Sequence, residues 1–192
     1  MVLIVYRGEW HISVSVKTSA ELEVAAAIQV AALMVAAART APKTRGIDNI
    51  KTAAIEDEPT KRQLIARMRE IAASEDRPGL ARDAGNIERA LAVVIIGVES
   101  NTADLNCGFC GKPSCEALKE ADGVCAFNSI DLGIAVASAA EMAGRFHVDN
   151  RVMYSIGRAA LDLGWLGPKV KQALGIPLSV TGKNPFFDRP AR

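Results

Sequence analysis

The stretch NCGFCGKPSC occupies residues 106–115 and contains three of the four cysteines in this 192-residue chain. Cys125, the fourth, follows after nine intervening residues, which gives the spacing C-x2-C-x4-C-x9-C. Gly108 and Gly111 permit the positive-φ backbone that a tight cysteine turn requires. Four clustered thiols with no cysteine left over are the ligand set of a 4Fe–4S cluster or of a structural zinc ion. The predicted metal ligands are Cys107, Cys110, Cys115 and Cys125.

The cysteine spacing also bears on the choice between these two metals. Zinc ribbons usually carry two C-x2-C pairs separated by roughly 15–20 residues. This chain has one such pair and two single, unequally spaced thiols. Iron–sulfur loops tolerate irregular, glycine-rich spacing because the backbone wraps a larger body. The spacing therefore favours a 4Fe–4S cluster, with zinc as the alternative and free or disulfide-bonded thiols as a third possibility.

The composition predicts one globular domain over residues 1–192, with a metal loop embedded at residues 105–126. Apolar residues make up 49% of the chain and charged residues 23%, which is ordinary for a globular protein. The formal net charge of +1 gives no reason to expect a nucleic acid or an anionic membrane as a partner. One compact cysteine cluster is no disulfide framework, and no signal peptide or membrane span is predicted. A cytoplasmic location is expected.

Hydrophobic patterning predicts an α+β fold in which helix-rich layers surround a small sheet. An alanine-rich helix is predicted over residues 20–39, apolar on nearly every face and so suited to a core or a subunit interface. The run LAVVIIGV, residues 91–98, predicts a fully buried strand that ends at the metal loop. Residues 169–174 are predicted to form a short helix ended by Gly175, followed by a last strand over 176–180.

Shorter elements are predicted in the same way. Partial alternation of apolar and polar residues over residues 2–16 predicts one or two short strands or an extended arm. A further strand is predicted over residues 50–55. Two alanine- and glycine-rich helices are predicted over 131–144 and 152–163. The polar residues 149–151 between them are expected to cap the second of these helices, with a place in the pocket as the alternative.

The loop that follows the alanine-rich helix, RTAPKTRGID at residues 39–48, brings three cations close together. One interpretation is a solvated connection. The other is an anion site in which Arg39, Lys43 and Arg45 hold a phosphate or a carboxylate. Lys183 and Asn184 belong to a second glycine-led loop near the end of the chain. They are the candidates to close the same pocket.

Two apolar features predict a homodimer. One is the helix over residues 20–39, and the other is the pair of consecutive phenylalanines, Phe186 and Phe187. Together they offer more apolar surface than one small core needs. The two phenylalanines need a buried environment, for which a partner subunit is one candidate. We therefore expect a second copy of the chain to cover part of this surface.

Five motifs spread along most of the chain are AARTAPKTRGID (37–48), LNCGFCGKPSC (105–115), DLGIA (131–135), VDNRVM (148–153) and GIPLSVTGKNPFFDR (175–189). Together they closely resemble the prokaryotic family of uncharacterised ferredoxin-domain proteins. The cysteine window is also similar to the 4Fe–4S domain of electron-transport complex B subunits and of corrinoid iron–sulfur proteins. In most of those domains, however, the gap before the last cysteine is longer than here. The resemblance implies a 4Fe–4S cluster on the four cysteines.

A weaker resemblance is to the flavin nitroreductase fold. There too a long core helix ends in an Ala-Pro loop, a buried strand follows, and a helix pair leads to a Gly-Ile-Pro segment. This resemblance implies FMN as a second cofactor, with its phosphate held by Arg39, Lys43 and Arg45. Two features depart from that fold. The arginine and serine motif at the start of its first helix is missing, and the cysteine loop has no counterpart in it.

Two functions stay open. The first is a redox protein whose 4Fe–4S cluster exchanges electrons with a flavin, a redox partner or a small organic substrate near residues 39–48. The second is a zinc-stapled structural, sensor or interaction protein without catalysis. No catalytic residue is assigned, because the chain has only His11 and His147 as histidines and no GxSxG or HExxH motif.

Overall fold

A computed structural model of the protein describes residues 16–187 together with the backbone of residues 3–6 and 9–12. The two short N-terminal segments are antiparallel strands, β1 (Leu3–Tyr6) and β2 (Glu9–Ile12), and form a hairpin of their own. This hairpin confirms the strands predicted within residues 2–16, where residues 2, 7–8 and 13–15 lie outside the described part.

A four-stranded antiparallel sheet forms the centre of the described structure. Its strands are β3 (Ile50–Ile55), β4 (Ala92–Glu99), β5 (Asp149–Asn150) and β6 (Val170–Ser179). They are adjacent in the order β3-β4-β6-β5. The six α-helices of the described residues are α1 (Ser19–Thr40), α2 (Glu58–Ser74), α3 (Pro78–Ile87), α4 (Cys115–Glu120), α5 (Ala126–Arg145) and α6 (Tyr154–Asp162).

Strand β4 serves both faces of the sheet because its side chains alternate in direction. Val93 and Ile95 pack into a first core with α2, α3 and α6. Val94, Ile96 and Val98 pack into a second core with α1 and α5. None of these five side chains is more than 1% exposed. Burial on both faces explains the continuous apolar run, and the predicted strand and the α+β architecture of helix layers around a small sheet are confirmed.

Helix α1 begins with a capping box between Thr18 and Glu21, in which each residue accepts a hydrogen bond from the other's backbone N–H. The predicted alanine-rich helix is therefore confirmed, but little of it is buried. Only 22% of its most apolar 18-residue window lies inside the structure, and Leu22 and Val24 are 51% and 42% exposed. Of the described helices, α1 is the one long and apolar enough to cross a membrane. The core helix of a soluble protein or a signal sequence can have the same length and apolar composition.

Two predicted elements are wrong. Residues 169–174 are not a helix. Residues 170–174 form the first half of β6, which pairs with β4 along its length. The polar residues Asp149 and Asn150 do not cap α6. They form β5, which pairs with Ser179 and Leu178, and the capping position of α6 is Met153.

Close contact between α6 and β6 depends on two glycines. A Cβ atom added to Gly157 would lie 1.8 Å from the carbonyl oxygen of Ala173. A Cβ atom on Gly175 would lie 2.0 Å from Cγ2 of Ile156. Gly175 is therefore a packing residue within a strand rather than the end of a helix.

The C-terminal tail is anchored within the same chain. Phe186 is fully buried in the first core, whereas Phe187 is 59% exposed. Arg151 donates a hydrogen bond to the Phe186 carbonyl at 2.9 Å, and its guanidinium lies 5.3 Å from the centre of the Phe187 ring. One of the two phenylalanines thus finds its buried environment without a partner subunit.

Candidate metal centre and the adjoining basic loop

The cysteine-bearing segment connects β4 to α5. The chain leaves β4 at Glu99 and reaches α4, which begins at Cys115. Ser114 caps this short helix, because its Oγ accepts a hydrogen bond from the Ala117 N–H at 3.1 Å. Cys125 then occupies the position directly before α5. The N-terminal end of this 20-residue helix favours negative charge, such as that of a metal–thiolate group.

All four cysteines line one pocket with an empty volume of about 300 Å³. Cys107 is exposed, Cys110 and Cys115 are half-buried, and Cys125 is 6% exposed. None of them is in a disulfide. The fold therefore brings the last thiol, from the start of α5, to the same pocket as the three thiols of the loop. Within the described residues, no group of three or more histidines, cysteines, aspartates and glutamates stands ready to hold a single metal ion.

Asn106 and Cys115 make a reciprocal pair of hydrogen bonds across this pocket. The backbone N–H of Cys115 donates to Asn106 Oδ1 at 2.8 Å. The backbone N–H of Asn106 donates to Cys115 Sγ at 3.4 Å. Hydrogen bonds to ligand sulfurs are among the features that set the reduction potential of an iron–sulfur cluster. Asn106 was not among the predicted site residues, although an asparagine directly before the cysteine turn was the available signal.

The backbone around the pocket adopts left-handed conformations that side chains other than glycine rarely occupy. Asp104, Asn106 and Asp122 have φ values of 50°, 48° and 48°. Gly108 and Gly111, at 75° and 74°, have the positive φ predicted for the cysteine turn. Such strained positions concentrate at functional sites. The backbone around the pocket therefore contains several residues in conformations that cost free energy.

An aromatic pair flanks the same pocket. The rings of Phe109 and Phe127 are stacked with their centres 5.5 Å apart and their planes at 22°. Phe127 lines the pocket, and Phe109, between the first two cysteines, is 69% exposed. The pair places an exposed apolar surface beside the thiols.

The predicted anion loop begins at the end of α1, where Arg39 and Lys43 make contacts within the loop. Arg39 donates to the Ile50 carbonyl and pairs with Asp48. Lys43 donates to the carbonyls of Arg39 and Ala41, the latter at 2.9 Å, and its Nζ lies 3.9 Å from Asp48. Both cations thus stabilise the C-terminal end of α1, which favours positive charge.

Arg45 connects this loop to the cysteine segment. Its φ is 58°, and its Nη1 donates to the Ala103 carbonyl at 2.8 Å. Ala103 is itself part of the lining of the cysteine pocket. Thr44, the preceding residue, donates from its N–H and its Oγ1 to the buried Asp131 of α5, at 3.0 Å and 2.9 Å. The loop over residues 39–48 therefore lies directly beside the candidate metal centre, and Asp131 is a positioning residue that the sequence analysis did not assign.

Lys183 and Asn184 lie at the other end of the sheet. Asn184 donates to Asp149 of β5 at 3.0 Å, and β5 pairs with the end of β6 at Ser179. The 39–48 loop instead leads into Ile50, which pairs with Val98 at the opposite end of β4. Within one chain, the fold does not bring Lys183 and Asn184 to the pocket of Arg39, Lys43 and Arg45.

Asp104 carries the clearest electrostatic perturbation near the cysteines. The Thr102 hydroxyl donates to its carboxylate at 2.6 Å, and Lys119 lies 3.3 Å away. These contacts, the Thr102 hydrogen bond first, lower the pKa of Asp104 below its ordinary value. Asp104 is therefore ionised throughout the neutral range and holds Lys119 of α4 against the loop.

Comparison with known proteins gives one family and one fold. Residues 121–189 match the family described as "Uncharacterized protein containing a ferredoxin domain". Of the four cysteines, this range includes Cys125 alone. A protein from Archaeoglobus fulgidus, described as an uncharacterized protein, is 39% identical, with 84% of this chain and 91% of the relative covered.

Solved structures with similar folds include flavoproteins. A nitroreductase with bound FMN from Bacteroides fragilis has a TM-score of 0.59 at 12% identity, covering 85% of this chain and 82% of that one. A BluB-like flavoprotein from Clostridium difficile has a TM-score of 0.53 at 15% identity, with coverages of 85% and 84%. These similarities confirm the nitroreductase-like fold and, at such low identity, the fold alone.

Proposed function

The chain belongs to the family of uncharacterised proteins containing a ferredoxin domain, and on that basis we propose that it is an iron–sulfur redox protein carrying one 4Fe–4S cluster. The observation that carries the proposal is the single pocket that all four cysteines line. No cysteine of the chain lies elsewhere. Four thiols converging on one pocket fit the ligand set of such a cluster.

The residues around the pocket also suit this role. Cys107, Cys110, Cys115 and Cys125 would provide the ligands. The Asn106 N–H would hold the Cys115 sulfur in place, and the start of α5 would favour the negative charge of the bound group. When bound, the cluster would supply one-electron transfer. The stacked rings of Phe109 and Phe127 would shield one side of the thiols from water.

FMN is the second cofactor of the proposal, with its phosphate at the 39–48 loop. Two observations support it: the fold is shared with an FMN-bound nitroreductase, and Arg45 joins this loop to the cysteine segment. Two of the three cations of the loop, Arg39 and Lys43, pair with the carboxylate of Asp48, so positive charge remains after the ion pairs are counted. Arg45 uses one of its five N–H donors on Ala103, which leaves donors for a phosphate. A flavin here would connect one-electron and hydride chemistry.

Anaerobic purification followed by metal analysis and a visible spectrum tests the main proposal. We expect brown protein that bleaches with dithionite and contains about four iron atoms per chain, the number that the cluster type requires. Single Cys→Ala variants at positions 107, 110, 115 and 125 should each lose this iron. Wild-type iron content in all four variants would exclude the cysteines as ligands. Colourless protein with one zinc ion per chain would instead support the zinc-stapled, non-catalytic alternative.

A further inference from the structure

A second, larger cavity adjoins the cysteine pocket and shares Cys125 with it. Its volume is about 620 Å³, which is within the size range of small-molecule sites. The walls come from the loop after β4, from the end of α4 and the turn beyond it, and from the start of β6. The lining is predominantly polar, in contrast to the cysteine pocket.

Three lysines from three different parts of the chain converge on this cavity. Lys119 is on α4, Lys169 directly precedes β6, and Lys171 is in β6. Two carboxylates also line it, those of Asp104 and Asp122. Three ammonium groups against two carboxylates leave an excess of one positive charge in the lining.

The ion pairs show which cation is available. Lys119 pairs with Asp104 at 3.3 Å, and Lys171 pairs with Asp122 through both its carboxylate and its carbonyl. Among the described residues, Lys169 has neither a carboxylate within 4.0 Å nor a hydrogen-bond acceptor for its ammonium group. Each ammonium has three N–H donors, so the paired lysines retain unused donors as well. The cavity therefore offers several N–H groups and one uncompensated charge.

We infer that this cavity binds the oxyanion group, a carboxylate or a phosphate, of a small organic molecule. Lys169 provides the uncompensated charge, and Lys119 and Lys171 contribute their remaining donors, held in place by Asp104 and Asp122. Hydrogen bonds between ions are stronger than neutral ones, so an anion gains more here than a neutral ligand does. Because Cys125 is shared by both pockets, the molecule lies beside the candidate metal centre. The role of this molecule as a substrate rests on the proposed function. The binding of an anion in the cavity is independent of that function.

Titration calorimetry on the anaerobically purified full chain tests this inference. The probes are inorganic phosphate and succinate, whose relative affinities separate a phosphate ligand from a carboxylate one. Lys169→Gln should weaken binding of the preferred probe by roughly tenfold or more, since one charge-assisted contact is lost. Lys169→Arg, which keeps the charge, should retain most of the affinity. Lys17→Gln removes the same charge from an exposed lysine that does not line the cavity, and should change nothing.

The possible outcomes separate this inference from the proposed function. If wild type binds neither probe at millimolar concentration, or if Lys169→Gln and Lys17→Gln behave alike, no anion site exists here. Iron content and the visible spectrum, measured on the same samples, report on the cluster independently. Protein without iron that still binds the anion through Lys169 would overturn the cluster and leave the anion site standing.

Discussion

Asn106 and Cys115 hold each other through two backbone N–H groups: the Cys115 N–H donates to Asn106 Oδ1 at 2.8 Å, and the Asn106 N–H donates to Cys115 Sγ at 3.4 Å. The first bond fixes the start of α4, where Cys115 is the first residue. The second bond directs a donor to the sulfur of a proposed metal ligand. One residue therefore sets both the position of a candidate ligand and its electrostatic surroundings.

Replacing Asn106 by glycine should weaken the candidate metal centre. Glycine accepts the φ of 48° without strain but removes the side-chain acceptor for the Cys115 N–H. Losing a partner that orients a metal ligand typically costs 10–100-fold in metal affinity. We expect faster loss of iron to a chelator, followed by visible absorbance. Asn106→Asp is the control, because it keeps both the acceptor and a residue type that tolerates this conformation. Equal iron loss from both variants would show that the side chain holds nothing in place.

Removing the Arg45 side chain should weaken FMN binding. Each lost charge-assisted bond costs roughly 1.5–3 kcal/mol, or about 10- to 150-fold in affinity. The measurement is a fluorescence titration of FMN against wild type and Arg45→Ala. Arg45→Asn is a second variant, since asparagine tolerates the φ of 58° better than alanine. Arg62→Ala, at an exposed position on α2, is the matched control. Equal affinity in all variants, or no binding to wild type, would leave the loop as a structural connection.

The exposed apolar face of α1 should form the interface of a homodimer. Leu22 and Val24 are 51% and 42% exposed, and 22% of the helix's apolar window is buried within the chain. We expect sedimentation to show a dimer at micromolar concentration, and Val24→Glu to raise the dissociation constant at least tenfold, because a charge would be buried. Val152→Glu, at a position outside α1 with 43% exposure, is the control. A wild-type protein that sediments only as a monomer contradicts this prediction.

Gly157 should be the most sensitive glycine of the helix–sheet contact. Gly157→Ala would place a Cβ atom 1.8 Å from the Ala173 carbonyl oxygen, so α6 must move away from β6. We expect a loss of about 3 kcal/mol in the free energy of unfolding by urea. Gly133→Ala on α5 is the matched control, since its Cβ would meet no atom within 4 Å. There we expect a gain of roughly 0.5–1 kcal/mol, because alanine favours the helix. Similar stabilities for the two variants would contradict the contact.

Elements whose signal is local were predictable from the sequence. Strand β4 is apolar without alternation because both of its faces are buried, and LAVVIIGV carries that information in eight residues. The first half of β6 was not predictable in this way. Val170, Ala173 and Leu174 have helical spacing, and Gly175 resembles a helix end. Its real role is to make room for Ile156 of α6, a contact between segments that are distant in sequence.

In the candidate site, too, the local features were predictable from the sequence and the features that depend on tertiary contacts were not. Four cysteines in one window indicate a shared metal centre without knowledge of the fold, and the structure places all four at one pocket. The pairing of the 39–48 loop with Lys183 and Asn184 rested on a similarity between two glycine-led loops. Strand register decides which end of the sheet each loop occupies, and it separates them. The link from Arg45 to Ala103 depends on tertiary contacts and could not be read from either loop alone.

The cysteine-bearing segment lies outside both hydrophobic cores. Within the described residues, neither core contains a member between Ser100 and Cys125, and the buried Leu118 belongs to neither. Its order therefore rests on hydrogen bonds, including those that Arg45 and Lys171 donate to it, and on whatever its thiols bind. Such a segment can open as a separate unit at a free-energy cost below that of global unfolding. Amide hydrogen exchange would register the occupancy of the centre in residues 100–125, while β4 and the helices that pack on it stay protected.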